Sequence, residues 1–112
     1  MARACGHLAL VRDVSPSGPG CVECLEGDGW WVHLRRCAVC GHVGCCDSSP
    51  SKHASRHART TGHPIIQSYE PGEDWLWCYV DEVQFDVPSM RHSPSHPPGW
   101  SPGPPGRVPA DL

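Results

Sequence analysis

Cysteine and histidine are the residues of this chain with the most chemistry in them, and their spacing is regular. Cys21-Val-Glu-Cys24 and Cys37-Ala-Val-Cys40 each hold two thiols separated by two residues, with twelve residues between the pairs. A two-residue gap lets both sulfurs converge on one ion, so each pair reads as a knuckle-type turn. His53, His57 and His63 follow at gaps of three and five residues and add imidazole nitrogens. Zinc takes four such donors in a tetrahedron. Four Cys and three His in these patterns, before Cys5, His7, Cys45, Cys46 and Cys78 are counted, require at least two ions. Spacing leaves open which His joins which Cys pair. His33 and His42 read as ordinary strand and loop residues, and Cys46, adjacent to Cys45, as a free, partly buried thiol.

A disulfide framework is the competing use for eight Cys. No basic segment followed by an apolar stretch opens the sequence, and no run is apolar enough to span a membrane. The cytoplasm is therefore the expected location, where thiols stay reduced and metal binding is the better reading. The length points the same way. Of 112 residues, thirteen are Pro and twelve Gly, and eight of those Pro lie between Pro88 and Leu112. That stretch has too little apolar content to offset its ordering entropy, so residues 87–112 are expected to form a disordered tail. Residues 1–86 form the folding unit, a size at which a hydrophobic core alone gives marginal stability. A structural zinc contributes about 10–16 kcal/mol in small peptides, which supplies what the core lacks.

The elements that must position these donors are short. Gly29 to Leu34 is aromatic and β-branched and reads as a strand between the knuckles. Ser49 as N-cap and Pro50 as first residue open the best helix, which Gly62 and Pro64 close. On that helix His53 and His57 share a face, about 6 Å apart. Pro64 to Tyr69 and Trp75 to Val80 read as strands joined by a Glu-Pro-Gly-Glu-Asp turn, the second with Trp75, Trp77 and Tyr79 on one face. The fold class expected is small α+β.

The whole pattern resembles the UBP-type zinc finger of ubiquitin-specific proteases and of a cytoplasmic histone deacetylase. The resemblance runs from Cys5 to about Phe85 and rests on Cys5-x-His7, the two knuckles, Cys45, the three spaced His and Trp77-Cys78-Tyr79. It implies interleaved zinc sites. Cys21, Cys24, Cys45 and His53 would hold one Zn2+, and Cys37, Cys40, His57 and His63 a second. Cys5, His7 and Cys78 would hold a third, with Asp81 standing where the family has a last Cys. Three ions are expected. Cys46 or water at the fourth position of the third site, or an empty third site with two ions in all, are the alternatives.

The resemblance also implies a binding module. The family closes over the free Gly-Gly tail of ubiquitin with aromatic walls, which Trp77 and Tyr79 match, and with an Arg that meets the carboxylate. Here that Arg is replaced by Asp47, and a family aromatic by Arg35. Ubiquitin-tail recognition is therefore expected to be weakened or lost, and a protein or peptide terminus of another kind becomes the expected partner. Retention of the ubiquitin tail through Arg35 is one alternative. A nucleic-acid-binding finger using Arg35, Arg36, Lys52, Arg56 and Arg59 is the other, although a net charge of -3 and a pI near 6.2 argue against it. No membrane partner is expected. An enzyme is not expected either, because the sequence has neither His-Glu-x-x-His nor the deaminase pairing of His-x-Glu with Pro-Cys-x-x-Cys.

Overall fold

The structure is a computed structural model, and it describes residues 6–90 and 94–111. Five short strands form one antiparallel sheet: β1 (Leu34–Cys37), β2 (Val43–Cys45), β3 (Ile65–Ser68), β4 (Leu76–Cys78) and β5 (Val83–Phe85), in the order β2-β1-β3-β4-β5. A five-residue helix, α1 (Val22–Glu26), precedes the sheet, and the main helix, α2 (His53–Thr61), lies between β2 and β3. The small α+β class stands.

Register assigns each side chain to a face, because successive residues of a strand alternate. One transverse row runs Arg36, Gln67, Leu76, Phe85. It shares its face with Leu34, Ile65 and Cys78, all fully buried. Arg36 is buried too, donating to Val14 O and to Gln67 Oε1, while Gln67 donates to the Asp74 and Met90 carbonyls at 2.8 Å. The nucleic-acid alternative thus loses one of its five cations to the core. The opposite row runs Cys37, Ile66, Trp77, Gln84, with Arg35 beside Ser68 and Gly44.

Helix α2 packs against β2 and β1 on that second face. Contact is close because residue 44 is glycine: a Cβ there would stand 2.7 Å from Ala54 N. The helix begins later than its sequence signals suggest. Ser49 Oγ is taken by the Val32 N–H (2.9 Å), so it does not cap the helix; Lys52, in the left-handed region, precedes His53 instead. The C-terminus ends as its glycine implies, with Gly62 left-handed and its N–H on Ala58 O at 3.0 Å. The strand expected at Gly29 to Leu34 also begins late, at Leu34. Before that point the backbone pairs elsewhere: Val32 with Ser49, and Trp31 with Gly103.

That last pairing brings part of the Pro- and Gly-rich segment, residues 94–111, against the rest of the fold. Val87 and Met90 join the core cluster of Ile65, Leu76 and Phe85. Further on, Trp100 stacks on fully buried Trp31 (centroids 6.3 Å apart, planes within 9°), and Gly103 exchanges both backbone hydrogen bonds with Trp31. Glu70 ties down the segment between them. Its Oε1 lies 3.0 Å from His96 Nε2, while its Oε2 accepts from Ser101 Oγ (2.8 Å) and from the Leu34 N–H (2.9 Å). One guanidinium nitrogen of Arg107 donates to the carbonyls of Cys24, Gly27 and Gly29. A few residues make these contacts within a segment whose average composition is poor in apolar side chains.

Candidate metal centre

Each of three His/Cys/Asp clusters has its donor atoms within 4.8 Å of one another. The first is Cys21, Cys24, Cys45 and His53. Cys21 caps α1 and its sulfur accepts the Cys24 N–H, so the knuckle is built by the helix start. Cys45 ends β2, and His53 opens α2 and donates its N–H to the Cys45 sulfur at 3.2 Å. His53 Nδ1 lies 3.2, 3.4 and 3.5 Å from the three sulfurs, and Cys24 Sγ 3.9 Å from Cys45 Sγ. A zinc tetrahedron with Zn–S of ~2.3 Å and Zn–N of ~2.0 Å has edges of roughly 3.5–3.8 Å, so the donors stand where one ion would hold them.

The second cluster is Cys37, Cys40, His57 and His63. Cys37 ends β1, and the turn after it returns through Gly41, whose φ of +87° and close approach to Ser15 O exclude a side chain. Cys37 Sγ is 3.6 Å from His63 Nδ1, and Cys40 Sγ 3.3 Å from His57 Nε2. His53 and His57 share a helix and serve different clusters. The third cluster is His7, Cys78 and Asp81: His7 Nδ1 lies 3.5 Å from Cys78 Sγ and 3.4 Å from Asp81 Oδ2. Asp81 Oδ2 also accepts the Gly6 N–H (2.9 Å), which draws the start of the described chain to this site. Cys5 lies outside the described residues. Cys46 belongs to none of the clusters; its buried sulfur is 3.4 Å from Ser49 Oγ.

The electrostatics of the first two clusters match metal donors. A hydrogen bond with Cys45, then burial, holds the Cys21 thiol far above the ordinary range, and burial pushes Cys24 up to about 11. The Cys21 thiol in turn draws Cys45 down to about 5, with help from the His53 N–H and ring. Burial and mutual contact oppose the joint ionisation of the three thiols, and a divalent cation between them relieves that opposition. In the second cluster burial raises Cys37, while burial and the neighbouring His42 and His63 hold His57 down at about 4, a neutral imidazole fit to ligate.

Sequence reasoning missed what braces that ring. His42 stacks flat on His57 (centroids 4.1 Å apart, planes within 2°), and its Nε2 is 2.9 Å from Glu23 Oε2 on α1. No sequence signal links residues 23, 42 and 57, because their adjacency is created by the fold. Such braces orient ligands and commonly matter nearly as much as the ligands themselves.

A separate cavity of about 220 Å³ opens on the second face of the sheet, bordered by the loop that follows β2. Arg35, Trp77 and Tyr79, the expected binding residues, all line it, together with Asp47, Trp75 and Gln84. The Arg35 guanidinium sits 4.7 Å above the Trp75 ring. Burial raises the Tyr79 phenol above its ordinary range, helped by the Asp47 carboxylate and opposed by Arg35.

A five-stranded antiparallel sheet carrying clustered Cys and His donors defines a zinc-binding module. The chain belongs to the family described as "Zn-finger in ubiquitin-hydrolases and other protein", whose model matches residues 21–90. It is similar, at 56% identity and with a TM-score of 0.73, to a Rhodopseudomonas palustris protein whose structure was determined in solution by NMR. That alignment covers 84% of this chain and 95% of the other. Among the described residues no helix is long and apolar enough to cross a membrane.

Proposed function

We propose that this is a non-catalytic recognition module, held by three structural Zn2+ ions, that receives a protein or peptide chain end in the cavity of Arg35, Trp77 and Tyr79. The convergence of those three residues on one cavity carries the reading. Cys21, Cys24, Cys45 and His53 hold the first ion, Cys37, Cys40, His57 and His63 the second, and Cys5, His7, Cys78 and Asp81 the third. Four protein donors meet in each of the first two clusters, which leaves no position there for the activated water that a catalytic zinc needs. Thiolate ligation also fits a reducing, cytoplasmic setting.

Recognition of ubiquitin's tail is weakened in this reading. Asp47 lines the cavity that would take the carboxylate. At 4 Å the repulsion is ~4 kcal/mol for an effective dielectric of 20 and ~1 kcal/mol in water; Asp47 is exposed, so the lower figure applies, a loss of about fivefold. Calorimetric titration of the zinc-loaded chain with a peptide ending in Gly-Gly, free and amidated, tests this. Weak binding that requires the free carboxylate, and that strengthens in Asp47→Arg, is expected. Indifference to amidation would sink the chain-end reading. Native mass spectrometry against the acid-denatured mass counts the ions, and a count of two would remove Asp81 from the ligands.

A further inference from the structure

Arg35 and Asp47 bring opposite charges to one cavity without neutralising each other. Arg35 enters from β1 and Asp47 from the loop between β2 and α2. Among the described residues neither forms an ion pair, with the other or with any third group. The Arg35 guanidinium rests on Trp75 and gives one N–H to the Leu34 carbonyl (3.0 Å), leaving the remainder of its donor fork available. The same cavity is lined by aromatic side chains, Trp77 and Tyr79, on the sheet face where Trp77 aligns with Ile66 and Gln84. Arg59 approaches Tyr79 from a different cavity, shared with Val80 and Pro64.

A ligand carrying only a carboxylate satisfies Arg35 and adds a second negative charge beside Asp47. A ligand carrying only a cation does the reverse. The geometry points to a ligand with both charges on one residue: a chain end whose last residue is lysine or arginine, its α-carboxylate on Arg35 and its side-chain cation against Asp47 and the aromatic rings. Aromatic faces attract alkylammonium and guanidinium groups, and in this cavity Arg35 already rests on one such face, that of Trp75, while Trp77 and Tyr79 supply others. Bidentate pairing of a guanidinium with a carboxylate supplies the orientation. This inference rests on the chain-end reading and adds the identity of the last residue, with Asp47 as the residue that selects it.

The test uses the full zinc-loaded chain and N-acetylated hexapeptides of one sequence that differ only at the C-terminus. These end in Lys, Gly or Glu with free carboxylates, or in Lys-amide, and binding is read by calorimetry. Lys with a free carboxylate should bind about tenfold tighter than Glu, with Gly between them. Asp47→Asn, which removes the charge at an exposed position, should collapse that ranking while zinc content and melting temperature stay unchanged. Equal binding of the Lys, Gly and Glu peptides would overturn this inference and leave the chain-end reading intact. Binding of Lys-amide as tight as Lys with a free carboxylate would overturn both, as would failure of every peptide to bind.

Discussion

Stripping the metal should do more to this chain than empty its sites. Of the seven residues in the core cluster around Trp31, three are Cys21, Cys24 and Cys45, so the donors are themselves core. A structural zinc is worth about 10–16 kcal/mol, and the net stability of a domain is about 5–15 kcal/mol. Losing the first ion alone therefore carries the folded state to or below its unfolding free energy. At roughly 1 kcal/mol per 4–8 °C of melting temperature for a domain of this size, the expected shift is tens of degrees, equivalent to loss of the transition. The assay is near-UV circular dichroism and tryptophan emission, with and without a chelator, followed by a melt. Trp31 is fully buried and reports the change directly. Near-UV signal should vanish, emission should move to the red, and added zinc should restore both. A chelated sample that keeps its near-UV spectrum and melts within about 5 °C of the loaded protein would refute the reasoning, because the core would then be self-sufficient.

Four perturbations probe the supporting structure. Gly44→Ala forces a Cβ to 2.7 Å from the α2 backbone, so it should cost ~1–3 kcal/mol in chemical denaturation and lower zinc occupancy at the site that depends on His53. His57 is depressed from 6.5 to about 4, and a group lowered in the fold contributes stability above its unfolded value that is lost as pH falls through its folded one. Acid should therefore release zinc between pH 6.5 and 4, with protons competing for the same Nε2, and a chromogenic chelator added across that range should record it. Trp100→Ala removes the ring stacked on Trp31 and should cost ~1–3 kcal/mol; a red-shifted emission and faster zinc exchange near Cys24 are the signals to measure. Arg107→Ala, at an exposed position, should accelerate the same exchange with only a small change in stability.

Donor chemistry was legible in the sequence because it is written in short gaps. Two-residue spacing between thiols and the His53, His57, His63 series are local, and the structure assembles these residues into the groups that the family resemblance implies. Placing Asp81 beside His7 and Cys78 required the resemblance, since residues 74 positions apart leave no local mark. Trp77 and Tyr79 were named on the same basis, whereas Arg35 stands where the family has an aromatic residue and its direction was not written in the sequence. What stayed hidden depends on contacts made through space. Ser49 has the chemistry of a helix cap, yet its hydroxyl serves Val32. Trp30 and Trp31 look like strand residues, yet Trp31 pairs with Gly103. The tail's Pro and Gly content suggests disorder, and only the fold reveals that Trp100, His96 and Arg107 have partners waiting.

The order of the donors along the chain has a consequence for cleavage. Cys21 and Cys24 find partners at Cys45 and His53, while Cys37 and Cys40 find theirs at His57 and His63, so the two closures overlap in sequence. A protease that cuts the exposed stretch at Asp47 and Ser48 would leave Cys21, Cys24 and Cys45 on one fragment facing His53 on the other, and Cys37 with Cys40 facing His57 with His63. Both ions would staple the break. Nicked molecules would migrate as intact ones under native conditions and fall into two pieces only when the metal is taken away.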